Sequence, residues 1–337
     1  MDSERPQTSI DASQRRRLYA REARRKKRRR HFALGLVVAL GAAGAIVGYY
    51  AAGTSSSKDT STQLQPTSAK VETTKPATTG KASVPPPPRG LFTPADRGSF
   101  AGLERRLGGT SGVAVSGVGL ARPVSELGTL REGVAWSTIK VPIAVAIEAR
   151  FGGAPPPETQ ALLTSALTAS DNAAAEALWA TLGPPGTAGA TVQRVLASTG
   201  DTATRVETRV LRPGFTSFGQ TVWSLNSQQR FIAGLSCLAH AQPVLSLMQQ
   251  VEPDQRWGLG TLGSGTRFKG GWGPDPAGRY LVRQMGIIRL ANGRLIAASV
   301  ATIPPDGSFG TGTANLGAIA QWLATHVNAA AVPPARC

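Results

Sequence analysis

The chain distributes its hydrophobic positions in three different patterns. From Phe32 to Ala52 there are 21 consecutive uncharged residues, mostly Ala, Val, Leu and Gly. Residues 53–96 are the opposite: Ser, Thr and Pro hold 20 of the 38 positions from 53 to 90, which leaves nothing to build a core. From residue 97 onward apolar and polar positions mix. Ser99–Leu107, Thr138–Arg150, Glu158–Leu167, Ala173–Leu182, Val222–Leu238, Pro243–Val251 and Asn315–Val327 are predicted helices. Gly112–Val118, Thr266–Gly271, Tyr280–Leu290 and Leu295–Ile303 are predicted strands, with a hairpin signal at Asn292-Gly293. Strand, many helices, three strands and a helix predict an α+β domain. Its antiparallel β-sheet is flanked by helices, with an all-α subdomain alongside.

At about 1.5 Å per residue, Phe32–Ala52 just spans a bilayer core and predicts a single transmembrane helix. Residues 1–31 precede it with 12 Lys/Arg against 4 Asp/Glu, so that tail should stay in the cytoplasm. The domain 97–337 then lies outside the plasma membrane, separated from it by the extended linker 53–96. A cleaved signal peptide is the competing reading, with Ala51-Ala52-Gly53 small enough for cleavage; the length of the apolar stretch favours an anchor. The formal net charge of +17 suggests nucleic acid at first. About half of it is the tail, which reads as a topology signal, so no nucleic-acid partner is expected.

Two cysteines, Cys237 and Cys337, exclude a disulfide-rich scaffold and a Cys-ligated zinc site, and no metal or cofactor is expected. Outside the membrane the two either pair or leave the terminal one free. Gly258-Leu-Gly260-Thr-Leu-Gly263 matches a dinucleotide fingerprint, but a strand pattern follows it where a helix is required. A Ser-His-Asp triad has only His240 and His326 to draw on within the domain, and both read as surface or cap residues.

Lysine usage is more informative. The domain holds 18 arginines and two lysines, Lys140 and Lys269. Arginine does not deprotonate in proteins, so chemistry needing a titratable amine would keep lysine; an Arg-rich composition explains the same count. Ser137-Thr-Ile-Lys140 opens a helix, where positions i and i+3 share a face. A serine there also benefits from the positive end of the helix dipole, and a neutral lysine can take its proton. Ser170-Asp171-Asn172 precedes a helix and is, taken alone, a good cap. Lys269-Gly270-Gly271-Trp272 falls on a strand.

The order S-x-x-K, S-D-N, K-G-G, each on the expected element, resembles the penicillin-recognising serine hydrolases: class A β-lactamases and DD-peptidases. Ala135-Trp-Ser-Thr-Ile-Lys-Val-Pro142 and Ala169-Ser-Asp-Asn-Ala-Ala175 are similar to their first two motifs, and the 99 residues from Ser170 to Lys269 are close to the family spacing. The resemblance implies that Ser137 is the acylated nucleophile and that Lys140 activates it. Ser170 would relay a proton to the leaving nitrogen, Asn172 would bind the substrate amide, and Lys269 would supply positive charge. Backbone N–H groups of Ser137 and Trp272 would form the oxyanion hole, with Gly270 and Gly271 lining the substrate side. The implied ligands are cell-wall peptides or β-lactam-like molecules.

Three departures qualify this. Gly270 stands where the family has a hydroxyl for the substrate carboxylate, a loss of about 1.5–3 kcal/mol. Arg283 on the next strand either replaces it bidentately or is a surface arginine. Only 33 residues separate Ser137 from Ser170, fewer than in the family, which implies a more open cleft. In Thr204-Arg-Val-Glu-Thr-Arg-Val210, Val210 falls where a deacylating Glu belongs; Glu207 is nearby but better matches a structural acid paired with Arg205. The expectation is a serine acyl hydrolase or acyltransferase. The alternatives are a degenerate binding protein of the same fold and a weak β-lactamase using Glu207.

Overall fold

The computed structural model describes residues 90–337. The basic tail, the predicted membrane span and most of the linker lie outside the described residues. Among the described residues no single helix is long and apolar enough to cross a membrane.

Leu91 and Phe92 are buried ahead of helix α1 (Pro94–Leu107). Thr93 starts α1 with a reciprocal cap: its hydroxyl accepts from the Asp96 amide at 3.2 Å, and Asp96 Oδ2 accepts from the Thr93 amide at 2.8 Å. Strands β1 (Thr110–Gly117), β2 (Ser125–Gly128) and β3 (Glu132–Val134) follow. A 3₁₀ turn, Trp136–Ile139, then leads without a break into α2 (Lys140–Arg150). The helical region continues with α3 (Pro157–Thr168), α4 (Asn172–Thr181) and α5 (Pro185–Ala197). The chain returns through β4 (Val222–Ser224), α6 (Leu225–Gly234) and α7 (Ala241–Gln249). It ends with β5 (Arg267–Pro274), β6 (Tyr280–Arg289), β7 (Leu295–Ile303) and α8 (Phe309–His326).

Five strands form one antiparallel sheet in the order β2-β1-β7-β6-β5, and β3 pairs with β4 separately. The central strands β6 and β7 are buried along nearly their whole length, including Arg283 and Gln284 in the middle of β6. One face of the sheet packs on the core shared with α2–α7, the other on α1 and α8. This is the expected arrangement: a flanked antiparallel sheet with helices α2–α5 as the all-α part. Strand β5 forms one edge of the sheet, with Lys269 opposite Met285 and Gly271 opposite Arg283.

Several elements differ from their predicted bounds for local reasons. Val222–Leu238 is not one helix. Val222 to Ser224 pair with β3, and Ser224 Oγ caps α6 by accepting from the Ser227 amide at 3.0 Å. Helix α8 starts six residues before Asn315, because Ser308 caps a glycine-rich first turn. Gly312 lets that turn lie on Val282, where a Cβ would come within 2.5 Å. Helix α5 went unpredicted behind its Pro-Gly-Thr start, although Ala188, Val192 and Leu196 form a buried stripe. Cys237 and Cys337 are disulfide-bonded, with Cα atoms 5.2 Å apart. Closing a loop of 100 residues restricts the unfolded chain by about 4–5 kcal/mol in the entropic account.

Candidate active site

Three segments meet at the edge of the sheet. The first is the turn that carries Ser137. Trp136, just before it, has φ +48°, a left-handed conformation that bulky residues rarely adopt and that costs about 1–3 kcal/mol. Ala135, Trp136, Thr138 and Ile139 are buried while Ser137 is partly exposed, so the turn presents one side chain and hides its neighbours. Strand β5 closes on this turn because it has no side chains there. A Cβ on Gly271 would lie 2.8 Å from Ala135 O and 2.9 Å from Ser137 N, and one on Gly273 would lie 2.6 Å from the Trp136 ring. The backbone on either side of Gly271 therefore runs against the Ser137 amide.

The second segment is the loop before α4. Ser170 has φ +57°, and Asp171 Oδ1 caps the helix by accepting from the Ala174 amide at 3.0 Å. So the cap reading and the site reading both hold for Ser170-Asp171-Asn172: Asp171 does the capping and its two neighbours turn to the lysines. Lys140 is 2% exposed, and its Nζ donates to Ser170 O and to Asn172 Oδ1, both at 2.7 Å. Burial pulls its pKa down to about 7, against the opposing pull of Asp171 and Glu176. With Oδ1 engaged, exposed Asn172 keeps its amide donors for a ligand.

The third segment is β5 itself. Lys269 is fully buried and donates to Ser170 Oγ at 2.8 Å and to Gly270 O at 3.0 Å. Burial first, and the charge of Lys140 second, hold its pKa well below that of an ordinary lysine. The two lysines of the domain thus flank Ser170, one on its carbonyl and one on its hydroxyl.

The structure corrects two expected site residues. Arg283 is neither a substrate ligand nor a surface residue. It is 1% exposed, donating to Gly133 O at 2.8 Å, Val134 O at 3.2 Å, Trp223 O at 3.1 Å and Gln228 Oε1 at 2.9 Å. Gly271, opposite it on β5, leaves room under the Ser137 turn, and both terminal nitrogens of the guanidinium find acceptors there, while its buried Nε has no hydrogen-bond partner among the described residues. Glu207 is not a poised base, and its partner is Arg209 rather than Arg205. Its carboxylate accepts from Arg209 Nε at 3.0 Å and from the amides of Thr208 and Arg209, which hold its pKa down at about 2. Arg205 instead donates to carbonyls of its own loop, with Thr202 O at 2.9 Å. Val210 is exposed.

Other residues were not anticipated. Trp257 packs where a side chain on Gly270 would stand: a Cβ there would lie 3.1 Å from the indole. Trp257 meets Trp272 edge-on at 5.7 Å, and Phe309 lies 5.3 Å from Trp272, so aromatic rings line the strand beside Gly270. Asp201 is buried and accepts from Trp223 Nε1 at 2.8 Å and Thr204 Oγ1 at 2.9 Å, anchoring the 201–217 loop. Its D-x-x-T spacing is a turn signal readable in the sequence. Phe215, later in the same loop, packs 5.2 Å from Trp136. The glycine-rich segment 258–263 is a 3₁₀ turn held by Gln284 Oε1 on the Leu259 amide at 2.7 Å; it leads into β5, not into a helix.

No protein-family profile matches the sequence, and no curated protein matches it. Solved structures do match. A β-lactamase from Chitinophaga pinensis aligns with a TM-score of 0.55 at 15% identity, over 68% of this chain and 98% of its own. A class A β-lactamase from Mycobacterium abscessus gives 0.52 at 17% identity, over 68% and 97%. A variant of the class A β-lactamase of the last common ancestor of Gram-negative bacteria gives 0.52 at 20% identity, over 68% and 96%. Likeness at these identities fixes the fold: the described domain has the fold of class A β-lactamases.

Proposed function

We propose that the domain is a serine acyl hydrolase or acyltransferase working through a Ser137 acyl-enzyme, on peptidoglycan-type stem peptides or β-lactam-like amides. The observation that carries this reading is Ser170 bridging the domain's only two lysines, with Lys140 held near pH 7. Neutral Lys140 takes the Ser137 proton and Ser137 Oγ attacks the acyl carbonyl. The N–H groups of Ser137 and Trp272 receive the oxyanion. Ser170, with Lys269 on its hydroxyl, passes a proton to the leaving nitrogen. Water or an amine then takes the acyl group. With Glu207 bound to Arg209 that carboxylate is not poised to activate water, so the acyl-enzyme is long-lived and efficient β-lactam turnover is not expected.

Incubation with a fluorescent penicillin and with a small acyl ester, followed by intact-mass analysis, should give one adduct on wild type and none on Ser137→Ala. Wild type that forms no adduct with either reagent ends the reading. A second reading, a non-catalytic envelope binding protein, draws on Trp257 occupying the space beside Gly270. Saturable binding of stem peptide without any adduct would favour it. The same proposal places the domain outside the plasma membrane, with Phe32–Ala52 as anchor. What supports this is the basic flank on one side only. Recovery of the full chain from the membrane fraction, with the domain open to external protease, tests it.

A further inference from the structure

Arg283 is a buried cation that the proposed chemistry does not use. All four of its hydrogen-bond acceptors are neutral: three carbonyls and Gln228 Oε1. A guanidinium enclosed without a carboxylate is a poor device for stability alone, since an apolar residue of similar volume usually serves as well or better.

Its contacts continue in one direction. Arg283 donates to Gln228 Oε1, Gln228 Nε2 donates to Thr138 Oγ1 at 2.9 Å, and Thr138 Oγ1 donates to Ala135 O at 2.6 Å. Gln228 and Thr138 are fully buried. In such a chain each donor polarises the next. It ends on the carbonyl of the residue before Trp136, where the backbone enters its left-handed turn. The same guanidinium ties Gly133 and Val134 of β3 to Trp223 of β4, and the Ala135 amide donates to Thr221 O at 2.7 Å. The strand entering the turn and the turn's first carbonyl are therefore both held from below, while Gly271 lets β5 pack closely against the turn from the side.

We propose that Arg283 is a positioning residue for Ser137, acting through Gln228 and Thr138 on the Ala135 carbonyl to hold the strained turn in its attacking geometry. This rests on the acyl-transfer reading above and adds a role outside the cleft. It separates two consequences that a purely structural network would keep together. Gln228→Glu gives Arg283 a carboxylate partner, which preserves folding; beside a cation the new acid stays ionised and cannot donate to Thr138.

The test is stopped-flow acylation of the full-length protein by a fluorescent penicillin, for wild type, Gln228→Glu, Thr138→Val and Thr138→Ser, with melting temperatures measured in parallel. Gln228→Glu is expected to melt at or above the wild-type temperature and to acylate at least tenfold more slowly at saturation. Half-saturation should stay within threefold, and the limb of the pH profile should not move. Thr138→Val, which removes only the hydroxyl link, should show the same slowing, and Thr138→Ser should recover most of the rate. Gln228→Glu that folds and acylates at the wild-type rate overturns the positioning role alone. Wild type that is never acylated overturns the acyl-transfer reading and this role with it.

Discussion

The two flanks of the Ser137 turn treat charge in opposite ways. On one flank Lys140 and Lys269 are buried, and their hydrogen bonds go to neutral acceptors. On the other, along residues 201–217, the acids are fully engaged: Asp201 with Trp223 and Thr204, Glu207 with Arg209. Burial without a counter-charge moves an amine toward neutral pH, where it can exchange protons. Pairing with Arg209 moves the Glu207 carboxylate away from it, so that it stays ionised and holds its loop. Under the proposed acyl-transfer reading, the contrast corresponds to fast acylation and slow deacylation within one cleft.

The largest test is on the lysine flank. Lys140→Met should slow Ser137 acylation by about 10²–10⁴-fold, the range for a lost general base; stopped-flow labelling with a fluorescent penicillin measures it, and a loss below tenfold would erase the contrast. Next is pH. The neutral amine predominates above its pKa, so wild-type acylation should rise with pH through about 7 and then level off, and Lys140→Met should lack that limb. A smaller effect is expected beside the lysines. Gly270→Thr must displace the Trp257 indole, 3.1 Å from the new Cβ, and should cost about 1–3 kcal/mol in urea unfolding. Combined with Trp257→Ala, the hydroxyl should tighten binding of a carboxylate-bearing β-lactam roughly tenfold. The smallest effect belongs to the acidic flank. Glu207→Gln should change the lifetime of the acyl adduct by less than about threefold, as expected for a group outside the chemistry. It should, however, remove an acid-sensitive stabilisation. A depressed carboxylate stabilises above its unfolded pKa, and that contribution is lost as pH falls through about 2. A tenfold longer adduct lifetime in Glu207→Gln would return Glu207 to the reaction.

Much of the fold could be read from pattern. The three C-terminal strands, the hairpin at Asn292-Gly293 and most helices carry their own periodicity, and the order of the three motifs singled out Ser137, Lys140, Ser170, Asn172 and Lys269, the last four of which are joined by hydrogen bonds. Elements with weak local signals were missed or mis-bounded: α5 behind its Pro-Gly start, the glycine-rich opening of α8, and β4 hidden at the head of an apolar helical run.

What went unread has a common cause. Arg283 and Glu207 have long side chains that the backbone allows to turn toward either of two environments, and their neighbours come from 55 or more residues away for Arg283 and from two residues away for Glu207. No local pattern ranks those options. Trp257 is a similar case, because its indole faces Gly270 only after the 3₁₀ turn at 258–261 has been placed.

The sequence by itself determined the elements, their order, and the residues able to carry acyl-transfer chemistry, because periodicity, capping and residue chemistry are local properties. Only the tertiary structure decided which flank holds titratable amines, which acid is spent on an ion pair, and what supports the Ser137 turn from below. Those outcomes depend on burial and on the competition of distant groups for the same hydrogen-bond partners, and neither exists until the chain has folded.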